Sequence, residues 1–366
     1  MAVLDEFFRL LVEKKGSDLH FSTGAPPMFR VSGDIVPVEG RPVNSREFAR
    51  EAVWEIMPEK NREEFKERHD TDFAYALAGY GRFRCNVFMD RNGIGAVFRV
   101  IPERIITVDD LKLSAEIRNL CFLSKGLVLV TGPTGSGKST TLCALVDHIN
   151  QNRKDHVITI EDPIEFVHGN KKCLINQREV HSHTRSFANA LRAALREDPD
   201  IVLVGEMRDL ETTRIAIETA ETGHLVLGTL HTNTAASTVD RLINQFPADE
   251  QAQIRMMLST SLKAVISQTL CKRVGGGRVA ALETLFVTSP VAANIREAKT
   301  YQIPSVMQTG AKQGMVLLND ALIRLVQAKQ VDAGEAYIKA IDKEDYTRKL
   351  AAAGVRFDPA QLAVHG

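Results

Sequence analysis

No apolar run in this sequence approaches the roughly 20 residues that a bilayer-spanning helix needs. A conventional transmembrane segment is therefore excluded. Cysteine is also scarce. The five present, at positions 85, 121, 143, 173 and 271, are scattered and form no CxxC pair, so they read as core thiols rather than a disulfide framework or a zinc site. Net charge is missing too: Lys+Arg and Asp+Glu each total 46, which removes any global basic field for nucleic acid or anionic lipid. Aromatic residues make up only 6% of the chain, a poor basis for a base-stacking platform. The opening stretch, MAVLDEFFRLLVEKKG, carries acids among its apolar residues, unlike a secretory signal. Neither repeats nor low-complexity tracts interrupt the chain. A soluble cytoplasmic protein is expected, with no nucleic-acid partner and no direct insertion into a membrane.

With 366 residues and 44% hydrophobic content, two packed domains are expected. Residues 3–15 show helical apolar spacing, closed by Gly16. Short alternating segments at 19–23, 28–33 and 35–38 read as antiparallel strands, and residues 45–68 as one or two helices around Pro58. DFAYAL, GRFRCNVFMDRNG and IGAVFRVIP add strands, with a hairpin turn at 91–94. These pieces make an α+β domain over residues 1–102. A linker over 103–113 and a second domain over 114–366 follow. In the first domain Arg84 and Arg99 stand between apolar neighbours, and Arg82 shares a strand face with Arg84. Two readings stay open for them: solvent-facing positions in ordinary surface ion pairs, or guanidinium groups that meet phosphoryl charge.

The second domain is organised around residues 127–150, LVLVTGPTGSGKSTTLCALVDHIN. A buried strand, a glycine-rich turn GxxxxGK[ST] and a helix with apolar residues at 142, 145, 146 and 149 form a P-loop in its required context. Glycines let the backbone wrap a phosphate with its N–H groups turned inward, and the helix N-terminus adds partial positive charge. The cradle comprises Gly132, Thr134, Gly135, Ser136, Gly137, Lys138, Ser139 and Thr140. Lys138 reaches the β- and γ-phosphates and the Ser139 hydroxyl ligates Mg²⁺, so a nucleoside triphosphate is the implied ligand.

Three further apolar strands end in polar groups. HVITIED ends in Glu161 and Asp162, where such sheets bind ligands, although a helix-capping turn explains the acids equally well. SFANALRAALRE is an amphipathic helix carrying Arg192 and Arg196 four apart. IVLVGE then ends in Glu206, a Walker B carboxylate able to hold a metal-bound water or orient the attacking one. Asp209 caps the next helix, which Gly223 ends. HLVLGTLH has a histidine at each end, and His231, next to the nucleotide site, is the better candidate for a γ-phosphate sensor. Residues 234–246 and 248–271 read as long helices, SLKAVISQTLCKR being especially regular. RVAALETLFV reads as a strand, followed by helices and a weakly patterned tail over 352–366.

The stretches GPTGSGKSTT, ITIEDPIEF, LREDPDIVLVGEMRD and TGHLVLGTLHTN resemble, in order, the Walker A, Asp box, Walker B and His box of one family, the secretion and type IV pilus ATPases. The resemblance extends through GSDLHFSTGAPP, GRFRCNVF and SPVAANIREAKTYQI. It implies a RecA-like P-loop ATPase domain, α/β in class, preceded by a smaller α+β PAS-like domain. It also implies Mg²⁺-dependent ATP hydrolysis by a homo-hexamer, with ATP between the two domains. Position by position, it places Lys138 and Ser139 on phosphate and Mg²⁺, and Glu161 on the metal or its water. Glu206 polarises the attacking water and His231 senses phosphate. Arg84 and Arg99 are brought to the nucleotide from the first domain, with Arg192 and Arg196 nearby. The chain is most similar to the retraction branch, because it lacks a longer N-terminal extension and a tetracysteine module, and residues 291–303 are similar to that branch's AIRNLIRE-type segment. The segment departs from the pattern at residues 292–295, as does the loop at His181 and Ser182. The implied partner is an inner-membrane pilus platform protein, which would hold the ring peripherally at that membrane and disassemble the pilus in twitching motility. A pilus-assembly or type II secretion motor of the same family, a RecA-like nucleic-acid motor and a nucleotide-gated regulator are the alternatives.

Overall fold

Apolar side chains at helical spacing bury one face of α1 (Val3–Glu13), where Leu4, Phe7, Phe8 and Leu11 are all enclosed. The computed structural model describes residues 2–31, 33–101 and 105–359. Two units separate along the chain, Met1–Arg104 and Ile105–Gly366. In the first, β1 (Asp18–Ser22), β2 (Met28–Val31) and β3 (Asp34–Pro37) precede α2 (Arg46–Ile56) and α3 (Glu59–Arg68). Then come β4 (Asp70–Leu77), β5 (Gly81–Met89) and β6 (Ile94–Ile101). These six strands form one antiparallel sheet in the order β3-β2-β1-β6-β5-β4. Phe8 stacks on Phe83 at 4.2 Å and meets Phe98 edge-on at 5.1 Å, which pins α1 to the sheet. Each such aromatic pair contributes about 1 kcal/mol beyond its buried area.

The second unit opens with α4 (Ala115–Asn119), β7 (Gly126–Thr131), α5 (Lys138–Asn152), β8 (His156–Glu161) and β9 (Leu174–Glu179). It continues through α6 (Phe187–Ala194), β10 (Ile201–Val204), α7 (Leu210–Thr222), β11 (Leu225–Leu230), α8 (Ala235–Asn244) and α9 (Gln251–Ser261). Next are β12 (Leu262–Lys272), β13 (Arg278–Phe286), α10 (Ser289–Arg296), α11 (Ile303–Thr309), α12 (Leu318–Gln327), α13 (Ala333–Lys339) and α14 (Lys343–Ala352). The sheet runs β13-β12-β7-β11-β10-β8-β9, parallel except for β13. Alternate residues of β7 feed opposite cores, Leu127 and Leu129 on one face, Val128 and Val130 on the other. Such doubly covered strands read as continuous apolar runs. Asp209 caps α7 through Thr212 N, and Gly223 ends it.

Two segments differ from their sequence reading. SLKAVISQTLCKR is not helical: α9 stops at Ser261 and β12 starts at once, pairing with β7 and β13. A strand buried on both faces shows no alternation, so its apolar spacing imitates a helix, while β-branched Val265, Ile266 and Thr269 favour the strand. Residues 174–179, left unassigned from sequence, form the edge strand β9. Within the expected linker, Val108 and Leu113 are buried in the second unit's core. The expected domain end at Pro102 and the tail beyond residue 359 lie outside the described residues.

Candidate active site

Ligands of parallel sheets bind beyond the carboxyl ends of the strands, and the P-loop, Glu161, Glu206 and His231 gather there. Gly132 follows β7, Glu161 is the last residue of β8, Glu206 lies two past β10, and His231 follows β11. Main-chain bonds join these ends: Gly205 N donates to Ile160 O at 2.7 Å and Met207 N to Thr229 O at 3.0 Å. Gly205 permits the close approach, since a Cβ there would stand 3.0 Å from Ile160 O.

The loop between β7 and α5 needs its glycines. Gly132 has φ 143°, and a Cβ on it would collide with the main-chain oxygen of Gln268. Gly137, at φ 88°, is the N-cap of α5 and offers no side chain to cap it. The amides of Gly135 and Gly137 have no acceptor among the described residues, and the buried Ser136 hydroxyl has no partner either. Lys138 Nζ curls back to donate to Gly132 O at 2.9 Å and Pro133 O at 3.1 Å. Burial lowers its pKa, against the opposing carboxylates of Glu206 and Glu165. Ser139 and Thr140 occupy the first turn of α5. An ammonium, open amides and an uncapped helix start fit a phosphate chain. Among the described residues no cluster of three or more His, Cys, Asp or Glu side chains forms a resident metal cage. The oxygen donors Ser139 and Glu161 fit Mg²⁺, which takes much of its shell from phosphate and water.

Two side-chain donors converge on one oxygen of Glu161. Thr159 Oγ1 donates to its Oε1 at 2.6 Å and Gln177 Nε2 donates to the same atom at 3.1 Å. Desolvation pushes its pKa above the usual carboxylate range. Gln177 is itself fixed, donating to Phe166 O at 2.8 Å and accepting from His168 N at 2.7 Å. Glu206 Oε1 lies 2.8 Å from His231 Nε2 and also accepts from Arg208 Nε. Its Oε2 has no protein donor among the described residues.

The arginines divide. Arg84 and Arg99 are direct cross-strand partners on β5 and β6 of the first unit. Arg99 Nε donates to Asp18 Oδ1 at 2.8 Å, and Arg84 Nε lies 3.6 Å from Asp72 Oδ1. Both guanidinium-bearing side chains remain substantially exposed, whereas Asp18 is buried. Arg192, on α6, pairs with Glu211, and Arg196 lies just past that helix. Neither has a polar contact with Lys138, Glu161, Glu206 or His231 among the described residues. Asp18, Thr159, Gln177, Arg208 and Gln268 were not singled out from sequence, because each works through a partner that no local pattern reveals. None of the described helices is long and apolar enough to cross a membrane.

The family model for type II/IV secretion system proteins matches residues 1–348. The chain is 49% identical over 343 residues to the "type IV pilus retractation ATPase PilT" of Pseudomonas aeruginosa, covering 94% of this chain and 99% of that relative. A twitching motility protein of Neisseria gonorrhoeae is 50% identical over 302 residues, 82% of this chain and 80% of that relative. Among solved structures, the pilus retraction motor PilT with bound ADP superposes with a TM-score of 0.89 at 43% identity, covering 94% of this chain and 98% of that one.

Proposed function

The chain belongs to the type II/IV secretion system protein family, and from that premise we propose that it is the ATPase that powers type IV pilus retraction. The observation that carries this is 49% identity to a retraction ATPase over nearly the full length of both chains. In this reading the second unit is the RecA-like ATPase and the first is PAS-like, and the protein works as a homo-hexamer. An inner-membrane pilus platform protein receives its motion and keeps it peripheral at that membrane. Pilus disassembly and twitching motility follow.

The site residues take matching roles. Gly132, Thr134, Gly135, Ser136, Gly137 and Thr140 present the loop that wraps the phosphates of ATP, and Lys138 leaves Gly132 O and Pro133 O to neutralise them. Ser139 and Glu161 hold Mg²⁺. When bound, that ion supplies neutralisation of the phosphate charge. Glu206 uses its open Oε2 to orient the attacking water while His231 and Arg208 fix Oε1. His231 also registers the γ-phosphate. Arg84 and Arg99 supply counter-charge to the transferring phosphoryl group, and Arg192 and Arg196 support the nucleotide electrostatically.

The test is a gene deletion in the source organism, complemented with wild type, Lys138→Ala or Glu206→Ala. Hyperpiliated, non-twitching cells rescued by wild type alone are expected. Bald cells would make the protein an assembly motor instead, and unchanged pili would end the pilus reading.

A further inference from the structure

The floor under the P-loop is one amide side chain. Gln268 sits on β12, immediately beside the P-loop strand β7, and is buried. Its Nε2 donates to Ser136 O at 2.6 Å, and its Oε1 accepts from Thr141 Oγ1 at 2.8 Å. Its main-chain oxygen packs where a Cβ of Gly132 would be. One residue therefore touches the loop at its start, near its end and one turn into α5.

We propose that Gln268 is a positioning residue for nucleotide binding, aiming the loop's amides at the phosphates; this rests on the reading of the loop as an ATP site. The argument is peptide geometry. A planar trans peptide sets its carbonyl and the following N–H in opposite directions. Gln268 draws the Ser136 carbonyl toward β12, so the Gly137 N–H points away from that strand, where it has no protein acceptor among the described residues. Gly137, in the left-handed region at φ 88°, has no side chain to hold that orientation itself. The Ser136 carbonyl can only accept, which turns Nε2 toward it, and Thr141 then donates its hydroxyl to Oε1 and holds the amide in place. The adjacent Ser267 extends the same support, its Oγ lying 2.7 Å from Thr131 Oγ1 at the end of β7.

Two variants separate aiming from bulk. Gln268→Met keeps the volume and loses both hydrogen bonds. Gln268→Glu keeps the acceptor for Thr141 and sets an oxygen against Ser136 O. The full-length protein is titrated with a fluorescent ADP analogue and Mg²⁺, beside Lys138→Ala, and thermal melts of the nucleotide-free variants report folding. Both Gln268 variants should bind at least about tenfold more weakly while folded, because the missing bond costs the cradle its orientation. Thr141→Val, which removes only the donor that holds Oε1, should weaken binding several-fold and serves as the deciding variant if neither Gln268 variant folds. A brace with a purely structural role would lower the melting temperature and leave the affinity of folded protein unchanged, and that result overturns the inference. Wild-type protein that binds no nucleotide overturns the ATP-site reading and this inference together.

Discussion

His231 Nε2 stands 2.8 Å from Glu206 Oε1, joining the ends of two adjacent parallel strands, β11 and β10. The contact fixes one oxygen of the carboxylate and leaves the other open. If Glu206 orients the attacking water, Glu206→Gln keeps the shape and loses the basicity. Its kcat should fall by about 10²- to 10⁴-fold with ADP affinity unchanged. His231→Ala should lower kcat by about tenfold, since Arg208 still holds Oε1. Steady-state phosphate release with parallel ADP titrations checks both. Near-normal turnover in Glu206→Gln would remove the assigned role.

Glu161 accepts from Thr159 and Gln177 at a single oxygen. Together they hold the carboxylate that would ligate Mg²⁺ in the proposed arrangement. Gln177→Leu removes the donor and frees the Phe166 carbonyl and His168 amide that Gln177 also holds. The expected result is a higher Mg²⁺ concentration for half-maximal ATPase activity, by roughly three- to tenfold. A Mg²⁺ titration at saturating ATP reads this directly, and an unchanged midpoint would make Gln177 a packing residue only.

The P-loop was legible in the sequence because the motif dictates residue type at each position, glycine where φ is positive and lysine and serine at the start of the helix. The positions of Glu161, Glu206 and His231 were legible because each stands at or just past the end of an apolar strand. Gln268 was not. It lies inside a strand buried on both faces, so its segment read as a helix, and its partner Thr141 is 127 positions away. Asp18 illustrates the same limit: nothing near it in sequence shows that it orients Arg99, 81 positions on. Local patterns reveal what a backbone conformation requires; pairings across a sheet emerge only when the strands are ordered.

Buried His168 supplies a pH dependence. Burial pushes its pKa from 6.5 down to about 4, with Asp147 opposing the shift and Lys171 adding to it. Its Nδ1 has no hydrogen-bond partner among the described residues. The folded protein therefore keeps the ring neutral where the unfolded chain would protonate it. Its contribution is fully present above pH 6.5 and is lost as pH falls through about 4, amounting to about 3 kcal/mol across that window. Thermal melts of wild type and His168→Gln between pH 7.5 and 4.5 check this. The wild-type melting temperature should fall more steeply with acid, and parallel curves would refute the assignment.

Glu283 on β13 ties two helix starts together: its Oε1 accepts from Ala235 N at 2.7 Å and its Oε2 from Leu318 N at 3.0 Å. These amides open α8, which follows the His231 loop, and α12 in the C-terminal helices. The carboxyl is almost fully buried, and desolvation raises its pKa, so the charge is held at a cost that the two donors offset. Glu283→Gln removes the charge but supplies one acceptor for two donors, setting an amide NH₂ against a main-chain N–H. Glu283→Ala leaves both donors without a partner in a closed space. Because an unsatisfied buried donor costs about 1–3 kcal/mol, both variants should melt lower than wild type, the alanine variant most. Amide hydrogen exchange should rise together in the first turns of α8 and α12. Were only one helix start to lose protection, the carboxylate would cap that helix alone and would not link the two.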